Sequence, residues 1–288
     1  MLKVFKKRKG LLRKMYLFAA AVGLLLFLWW QTNSLTVTQY TFAAANLSQE
    51  LQGFCIVQLS DLHNKRFGGR LIEAVAAQKP DIIAITGDIV SRSDKDSAGA
   101  RALVEEAVKV APVYYVSGNH EAVFPGYEEL TAYLDAQGVT RLEDVSVVIQ
   151  HGGGRFNLIG LRDPAFYSQN RYLDPDAPAV LQARLSENLL PGMPNVVLAH
   201  RPSLLQSYAA AGADLVLTGH AHGGQIRLPF VGALVAPDEG FFPRYTSGIH
   251  RQGSTAMVVS RGLGDSKLMP IRLFNRPEVV VIRFETRS

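Results

Sequence analysis

Five short islands of metal-binding side chains run along this chain in order: Asp61-Leu62-His63, Gly87-Asp88, Gly118-Asn119-His120-Glu121, Ala199-His200 and Gly219-His220-Ala221-His222-Gly223-Gly224. Five of the seven histidines fall inside them. Imidazole nitrogens with carboxylate and amide oxygens, and no thiolate among them, suit divalent ions such as manganese, iron or zinc. Two such ions side by side can acidify a water, neutralise phosphoryl oxygens and stabilise a leaving oxygen, which is the chemistry of phosphoester cleavage. Taken singly, each island also has an ordinary reading. Asp-x-His is most often a surface loop, Gly-Asp after a strand is usually a turn, and His200 before Arg201-Pro202 suits a helix entry. Those readings would have to hold together, and they leave unexplained why Ser, Thr and Lys are so scarce at these points.

The elements that must carry these residues alternate. Apolar runs predict strands over 54–59, 82–86, 113–116, 196–198, 215–217, 257–260 and 279–284, with an amphipathic strand over 35–42. Helices are expected over 71–78, 98–110, 127–137 and 180–188. The runs 145–150 and 156–161 flank His151-Gly152-Gly153-Gly154, a hairpin signature, and 162–178 reads as irregular. Asp61, Asp88, Asn119, His200 and His220 each follow an apolar strand by two or three residues. In open α/β sheets ligands bind beyond the carboxyl ends of the strands, so residues distant in sequence converge on one rim.

With all five motifs in order between Phe54 and Gln225, the chain resembles the calcineurin-like metallophosphoesterase superfamily, whose pattern is Asp-x-His, Gly-Asp, Gly-Asn-His-Asp/Glu, an isolated His after a strand and Gly-His-x-His. The run Gly219–Gln225 with Ile226-Arg227-Leu228-Pro229 looks like the bacterial membrane-associated branch, near enzymes acting on nucleotide-sugar lipids such as UDP-diacylglucosamine. Ala221 stands where Thr is common and leaves the ligands untouched. The resemblance implies an α/β fold, a four-layer α/β/β/α sandwich, where strand count alone leaves a single open sheet equally open. It implies two divalent ions (Mn²⁺, Fe²⁺ or Zn²⁺), with Asp61, His63 and His222 on the first, Asn119, His200 and His220 on the second, and Asp88 bridging. A hydroxide bridging the metals would attack phosphorus, and His120 would serve the leaving group as the catalytic acid or charge stabiliser. Glu121 is the candidate to orient it. Asp61 and His63, two apart in extended chain, would point the same way, whereas glycines around His220 and His222 would let the backbone turn between neighbouring ions.

Bulk properties narrow the setting. A chain of 288 residues with 48% hydrophobic content can bury a large core. The formal charge of +5 is misleading. Residues 1–30 carry seven basic side chains and no acid; removing them from the 30 basic residues leaves 23 against 25 acids, a net of −2. The body therefore offers no general case for nucleic-acid binding. Cys55, the only cysteine, excludes an intrachain disulfide and reads as a small core residue. The basic stretch 1–14 is followed by an uncharged run over 15–30 that ends in Trp29-Trp30, the pattern of a single-pass anchor with its N-terminus in the cytoplasm. A short segment, 31–53, leads to a catalytic body over 54–288 that is extracytoplasmic by the same rule. A cleaved signal peptide ending near Ala43-Ala44-Ala45 is the competing view, weakened by the long approach from Gln31.

These readings favour a membrane-anchored hydrolase of phosphodiesters or pyrophosphates, on a small-molecule or lipid-linked substrate and with no obligate protein partner. The rivals are a phosphomonoesterase or nucleotide phosphodiesterase on soluble substrates, and a tethered metal-binding module without turnover. Other residues carry two readings each. Arg162, Asp163, Tyr167 and Tyr172 either line a substrate pocket or make loop contacts. Arg227 and Arg261 either clamp a second phosphate or form surface ion pairs. The apolar stretch 229–243, with Phe230, Phe241 and Phe242, either meets lipid or packs inward. His151 and His250 read as solvated.

Overall fold

The computed structural model describes residues 2–168, 175–236, 240–265 and 270–286, with side chains from residue 10 onward. After an N-terminal helix α1 (Leu2–Asn33), strands and helices alternate: β1 (Thr36–Phe42), β2 (Cys55–Leu59), α2 (Gly69–Ala76), β3 (Ile82–Thr86), α3 (Ala98–Ala107), β4 (Val113–Val116), α4 (Tyr127–Ala136), β5 (Thr140–Arg141), β6 (Val145–His151) and β7 (Gly154–Gly160). The second half comprises α5 (Ala177–Asn188), β8 (Asn195–Leu198), α6 (Leu205–Ala211) and β9 (Leu215–Thr218). Two small ladders follow, β10 (Arg227–Leu228) with β11 (Gly232–Ala233) and β12 (Val235–Ala236) with β13 (Gly240–Phe241), before β14 (Gly248–Gln252), β15 (Thr255–Val259) and β16 (Glu278–Phe284).

The strands form two six-stranded mixed sheets, ordered β1-β16-β2-β3-β4-β5 and β14-β15-β9-β8-β7-β6. Period-two alternation sorts their side chains into separate cores. Ile56, Ile82, Ala84, Val116, Val280 and Ile282 of the first sheet face Leu158, Val196, Leu198, Leu215, Leu217 and Val258 of the second. On the outer face of the first sheet, Val57, Leu59, Ile83, Ile85 and Val281 meet Leu71 and Val75 of α2, Leu103 and Val104 of α3, and Leu130 and Leu134 of α4. On the outer face of the second, Ile159, Val197, Val216 and Met257 meet Leu181 and Leu185 of α5 and Leu205 and Tyr208 of α6. Three apolar cores between four layers make an α/β/β/α sandwich. Strands buried on both faces read as continuous apolar runs, which is why β2, β3, β8 and β9 stand out in the sequence.

Several boundaries differ from the sequence reading. The helix expected over 15–30 is one uninterrupted element to Asn33, so only Ser34 and Leu35 separate it from β1. The strand β1, read as part of a lead-in segment, pairs in parallel with β16 along its whole length and is the edge of the first sheet. His250, read as solvated, lies in β14, its Nε2 3.1 Å from the Ser247 carbonyl. Its short, polar strand lacks the apolar run that marked the others. His151 closes the β6–β7 hairpin as expected, but its ring packs edge-on against Phe54 at 5.1 Å between centroids.

Candidate metal centre

The carboxyl ends of β2, β3 and β4 in one sheet and of β8 and β9 in the other open onto a common rim. Buried Gln58 pins the two sheets there: its Nε2 donates to Thr86 Oγ1 (3.0 Å) across β3 and to the Thr218 carbonyl (2.8 Å) on β9 in the facing sheet. The loop after β2 is then laid along the loop after β3, with the Asp61 N–H on the Gly87 carbonyl (3.0 Å) and the His63 N–H on the Asp88 carbonyl (3.0 Å).

This lacing fixes an unusual backbone. Asp61, His63, Asp88, His220 and His222 all have positive φ, between 48° and 65°. The left-handed region costs an L-residue about 1–2 kcal/mol, and such outliers gather where structure over-determines a site. The shared direction of Asp61 and His63 therefore comes from two left-handed residues, and the extended tail expected from their spacing is not what is found. Close approach explains two motif glycines. A Cβ on Gly118 would lie 2.3 Å from Asp88 Oδ1, and one on Gly219 would lie 2.3 Å from Asp61 Oδ2.

Three overlapping clusters result: Asp61, His63 and His222; His63, Asp88 and His120; and Asp88, His200 and His220, the ligand atoms within each lying within 4.8 Å of one another. Asp88 is common to the last two. Its Oδ2 is 3.2 Å from His200 Nε2, 3.9 Å from His63 Nε2 and 4.0 Å from His120 Nε2, while Oδ1 accepts the His120 N–H at 2.8 Å. His63 Nε2 is 2.9 Å from His222 Nε2, which is 3.6 Å from Asp61 Oδ1. The carboxylate of Asp61 also accepts the His220 N–H at 3.1 Å.

Ring orientation is set from behind. His200 Nδ1 sits 2.7 Å from the Thr86 carbonyl, which can only accept, so Nδ1 carries the proton and Nε2 faces Asp88. His63 Nδ1 is 3.1 Å from Ser91 Oγ, turning its Nε2 into the cluster. Asn119 Oδ1 is buried without a hydrogen-bond partner, and an orphaned acceptor next in sequence to His120 suits a cation. The donor set is thus imidazole nitrogen and amide or carboxylate oxygen, as borderline divalent ions require.

Burial drives the His63 imidazole down to about 3 against the opposing pull of Asp88. It drives His222 well below its ordinary value, helped by His63 and Arg272. Burial also opposes a charge on His200, but the touching Asp88 carboxylate, with Asp61 and Asp163 beyond, holds it up at about 10. Burial would raise Asp88, yet the surrounding His200 and His120 hold its carboxyl well below the usual range. Asp61, equally buried, is pushed up by that burial.

Other sequence candidates fall elsewhere. The Glu121 carboxylate makes no hydrogen bond to the His120 ring. Fully buried, it accepts the N–H groups of Asp88 (2.7 Å), Gly118 (2.7 Å) and Val90 (3.2 Å), and so ties the two central loops together. His120 is held instead by the Arg92 N–H on its Nδ1 at 3.2 Å. Asp163 forms a buried two-pronged ion pair with Arg201 (2.9 and 3.2 Å), anchoring the loop that carries His200. Arg162 pairs with Glu143 (2.7 Å), Tyr167 bonds Asp144, and Tyr172 lies outside the described residues. Arg261 pairs with buried Glu278 at 2.9 Å, while Arg227 donates to the Gly223 carbonyl (2.9 Å) and Thr246 (3.2 Å). Asn275, which no motif marked, donates to the His222 carbonyl at 2.7 Å and fixes the last ligand loop.

Comparison with known proteins agrees with this arrangement. The Escherichia coli (strain K12) phosphodiesterase YaeI is 34% identical over 239 residues, covering 80% of this chain and 81% of the relative. The uncharacterized metallophosphoesterase YkuE of Bacillus subtilis is 28% identical over 266 residues, covering 90% and 88%. The fold is similar to that of the Thermus thermophilus sulfate thiohydrolase SoxB, at TM-score 0.51 and 14% identity, over 81% of this chain and 57% of that one. The family model described as calcineurin-like phosphoesterase matches residues 55–224, which include all the clustered ligands. The chain belongs to the calcineurin-like phosphoesterases, metal-dependent phosphoester hydrolases that use two divalent ions.

Proposed function

We propose that this protein is a membrane-anchored hydrolase of phosphodiester or pyrophosphate bonds whose substrate is lipid-borne. Asp61, His63 and His222 hold one ion, Asn119, His200 and His220 the other, and Asp88 reaches both. The observation that carries this reading is the position of the Asp88 carboxylate, 3.9 Å from His63 Nε2 on one side and 3.2 Å from His200 Nε2 on the other. When bound, the two ions supply an acidified water as nucleophile and neutralise the phosphoryl oxygens. His120 then serves the leaving group. Because its Nδ1 accepts the Arg92 N–H, the proton of the neutral ring sits on Nε2, which faces the cluster, and a quarter of the side chain is open to solvent. A hydrogen bond donated from Nε2 to the departing oxygen stabilises its developing charge and is worth about 10²–10³-fold in rate. Replacing His120 with Ala should lower kcat by that amount while metal analysis still finds two ions per chain. Unchanged turnover would remove the role.

The membrane setting is supported by α1. Its portion Gly10–Asn33 is long and apolar enough to cross a bilayer, and its most apolar window is exposed, with only the last turns meeting the body. Those 24 residues rise about 36 Å, against roughly 30 Å of hydrocarbon. The last turn is fastened to the body close to the metal rim: the Thr32 carbonyl accepts Lys65 Nζ (2.7 Å), two residues beyond His63, and Thr32 Oγ1 accepts the Arg272 N–H (3.2 Å). The basic N-terminal flank favours a cytoplasmic N-terminus and an extracytoplasmic body. A preference for diesters follows the similarity to the Escherichia coli phosphodiesterase. The test is EDTA-sensitive, Mn²⁺-restored turnover of bis-p-nitrophenyl phosphate exceeding that of p-nitrophenyl phosphate, with a C-terminal reporter for topology. A monoester preference would favour the soluble-substrate alternative.

A further inference from the structure

The small ladders after the last ligand loop display apolar side chains that no other part of the body covers among the described residues. Phe230, Val231, Phe241 and Phe242 are all exposed, Phe230 completely. Phe230 and Phe242 have positive φ (66° and 54°), a state unusual for aromatic residues. Arg244 and Tyr245 follow after Pro243, the guanidinium lying 5.2 Å from the ring centre. An apolar tip with an arginine and a tyrosine behind it matches the layering of a bilayer interface.

What covers the tip is indicated by its neighbour. The Arg227 N–H donates to the Leu273 carbonyl (3.0 Å) and the Leu273 N–H to the Gln225 carbonyl (3.4 Å), so this segment lies against the start of β10. The next residue, half-exposed Phe274, packs edge-on against Phe27 of α1 at 5.9 Å, and Arg276 covers Trp30 at 4.8 Å. One short segment therefore joins the exposed hairpins to the end of the candidate membrane helix. We propose that Phe230, Val231, Phe241 and Phe242 insert into the leaflet that holds the C-terminal end of α1. They form a second membrane contact, which fixes the metal rim against the headgroups through the Arg227 bond to Gly223. This inference rests on α1 being a membrane anchor.

The test uses the full chain in proteoliposomes, with Cys55→Ala removing the only native thiol. Single cysteines at Phe230, Phe241 and, as control, Val145 on β6 carry a spin label. Power saturation with oxygen and a water-soluble nickel chelate reads depth. Labels at 230 and 241 should favour oxygen and lie about 5–10 Å below the phosphates, whereas 145 should favour the nickel chelate. Carbonate washing separates the two ideas. A retained chain with nickel-accessible labels at 230 and 241 overturns the insertion and leaves the anchor intact. Release of the chain overturns both. Shielding from both reagents would mean a protein cover and would overturn insertion as well.

Discussion

His63 and His222, which share a cluster with Asp61, are held neutral by burial, whereas His200, against Asp88, is held protonated up to about 10. The residue types are the same and so is the depth. What differs is the carboxylate contact: Asp88 lies 3.2 Å from His200 Nε2, while Asp61 Oδ1 lies 3.6 Å from His222 Nε2 and also accepts the His220 N–H. Without metal, the second cluster satisfies itself with an internal ion pair, and a proton stands where a cation would go. The first has no histidine proton to release, and only the burial-raised carboxyl of Asp61 takes one up as pH falls. The two halves should therefore bind metal under different proton linkage.

Breaking the shared element gives the largest effect. Asp88→Asn removes the charge that holds the His200 proton and faces both clusters. Its kcat/KM should fall by at least the 10²–10³-fold typical of losing one preorganised electrostatic group, with fewer than two ions retained on metal analysis. Full activity with two ions bound would end the idea that the halves are coupled through this carboxylate.

Next comes pH. His200 must lose its proton to become a ligand, so metal binding at the second cluster releases one proton wherever pH lies below about 10. Apparent affinity of the weaker-binding Mn²⁺ should rise about tenfold per pH unit between 6 and 9, read by calorimetry in buffers of different ionisation enthalpy. The first cluster should show a shallower slope. The metal-free protein follows the matching sign. A histidine whose folded pKa is raised contributes its stability in full below the ordinary value of 6.5, and loses it as pH rises toward about 10. Its Tm should decline across that window, and a flat profile would place the proton elsewhere.

How much of this could be read from the sequence depends on range. Asp61, Asp88, Asn119, His200 and His220 were legible because each sits just beyond an apolar strand, and strand ends are a local signal. The fourth layer was legible only through family resemblance: the alternation of Ile56 and Val57 between two cores requires a second sheet that no local pattern encodes. The positive φ of Asp61 and His63 was not legible, since non-glycine residues enter that region only under tertiary constraint, here the Gly87 and Asp88 carbonyls. Glu121 was misread for the same reason. Adjacency suggested His120, but three N–H groups from two different loops claim its carboxylate. The Arg201–Asp163 pair joins residues 38 positions apart, with nothing periodic between them.

The smallest effect sharpens the comparison most. Each half-site has one ring aimed from behind, His200 by the Thr86 carbonyl and His63 by the Ser91 hydroxyl. Only the second can be removed by substitution. Ser91→Ala removes the hydrogen bond on His63 Nδ1, so the ring loses the partner that aims its Nε2 into the cluster. Loss of such an orienting partner typically lowers metal affinity 10–100-fold. His63 stays packed between His120 and His222, at 4.6 and 4.7 Å between ring centres, so the loss should sit near tenfold. It should fall on the first ion alone, because His200 keeps its backbone partner. An equal loss for both ions would show that the rim titrates as one unit, and the distinction between a proton-free half and a proton-filled half would have to be abandoned.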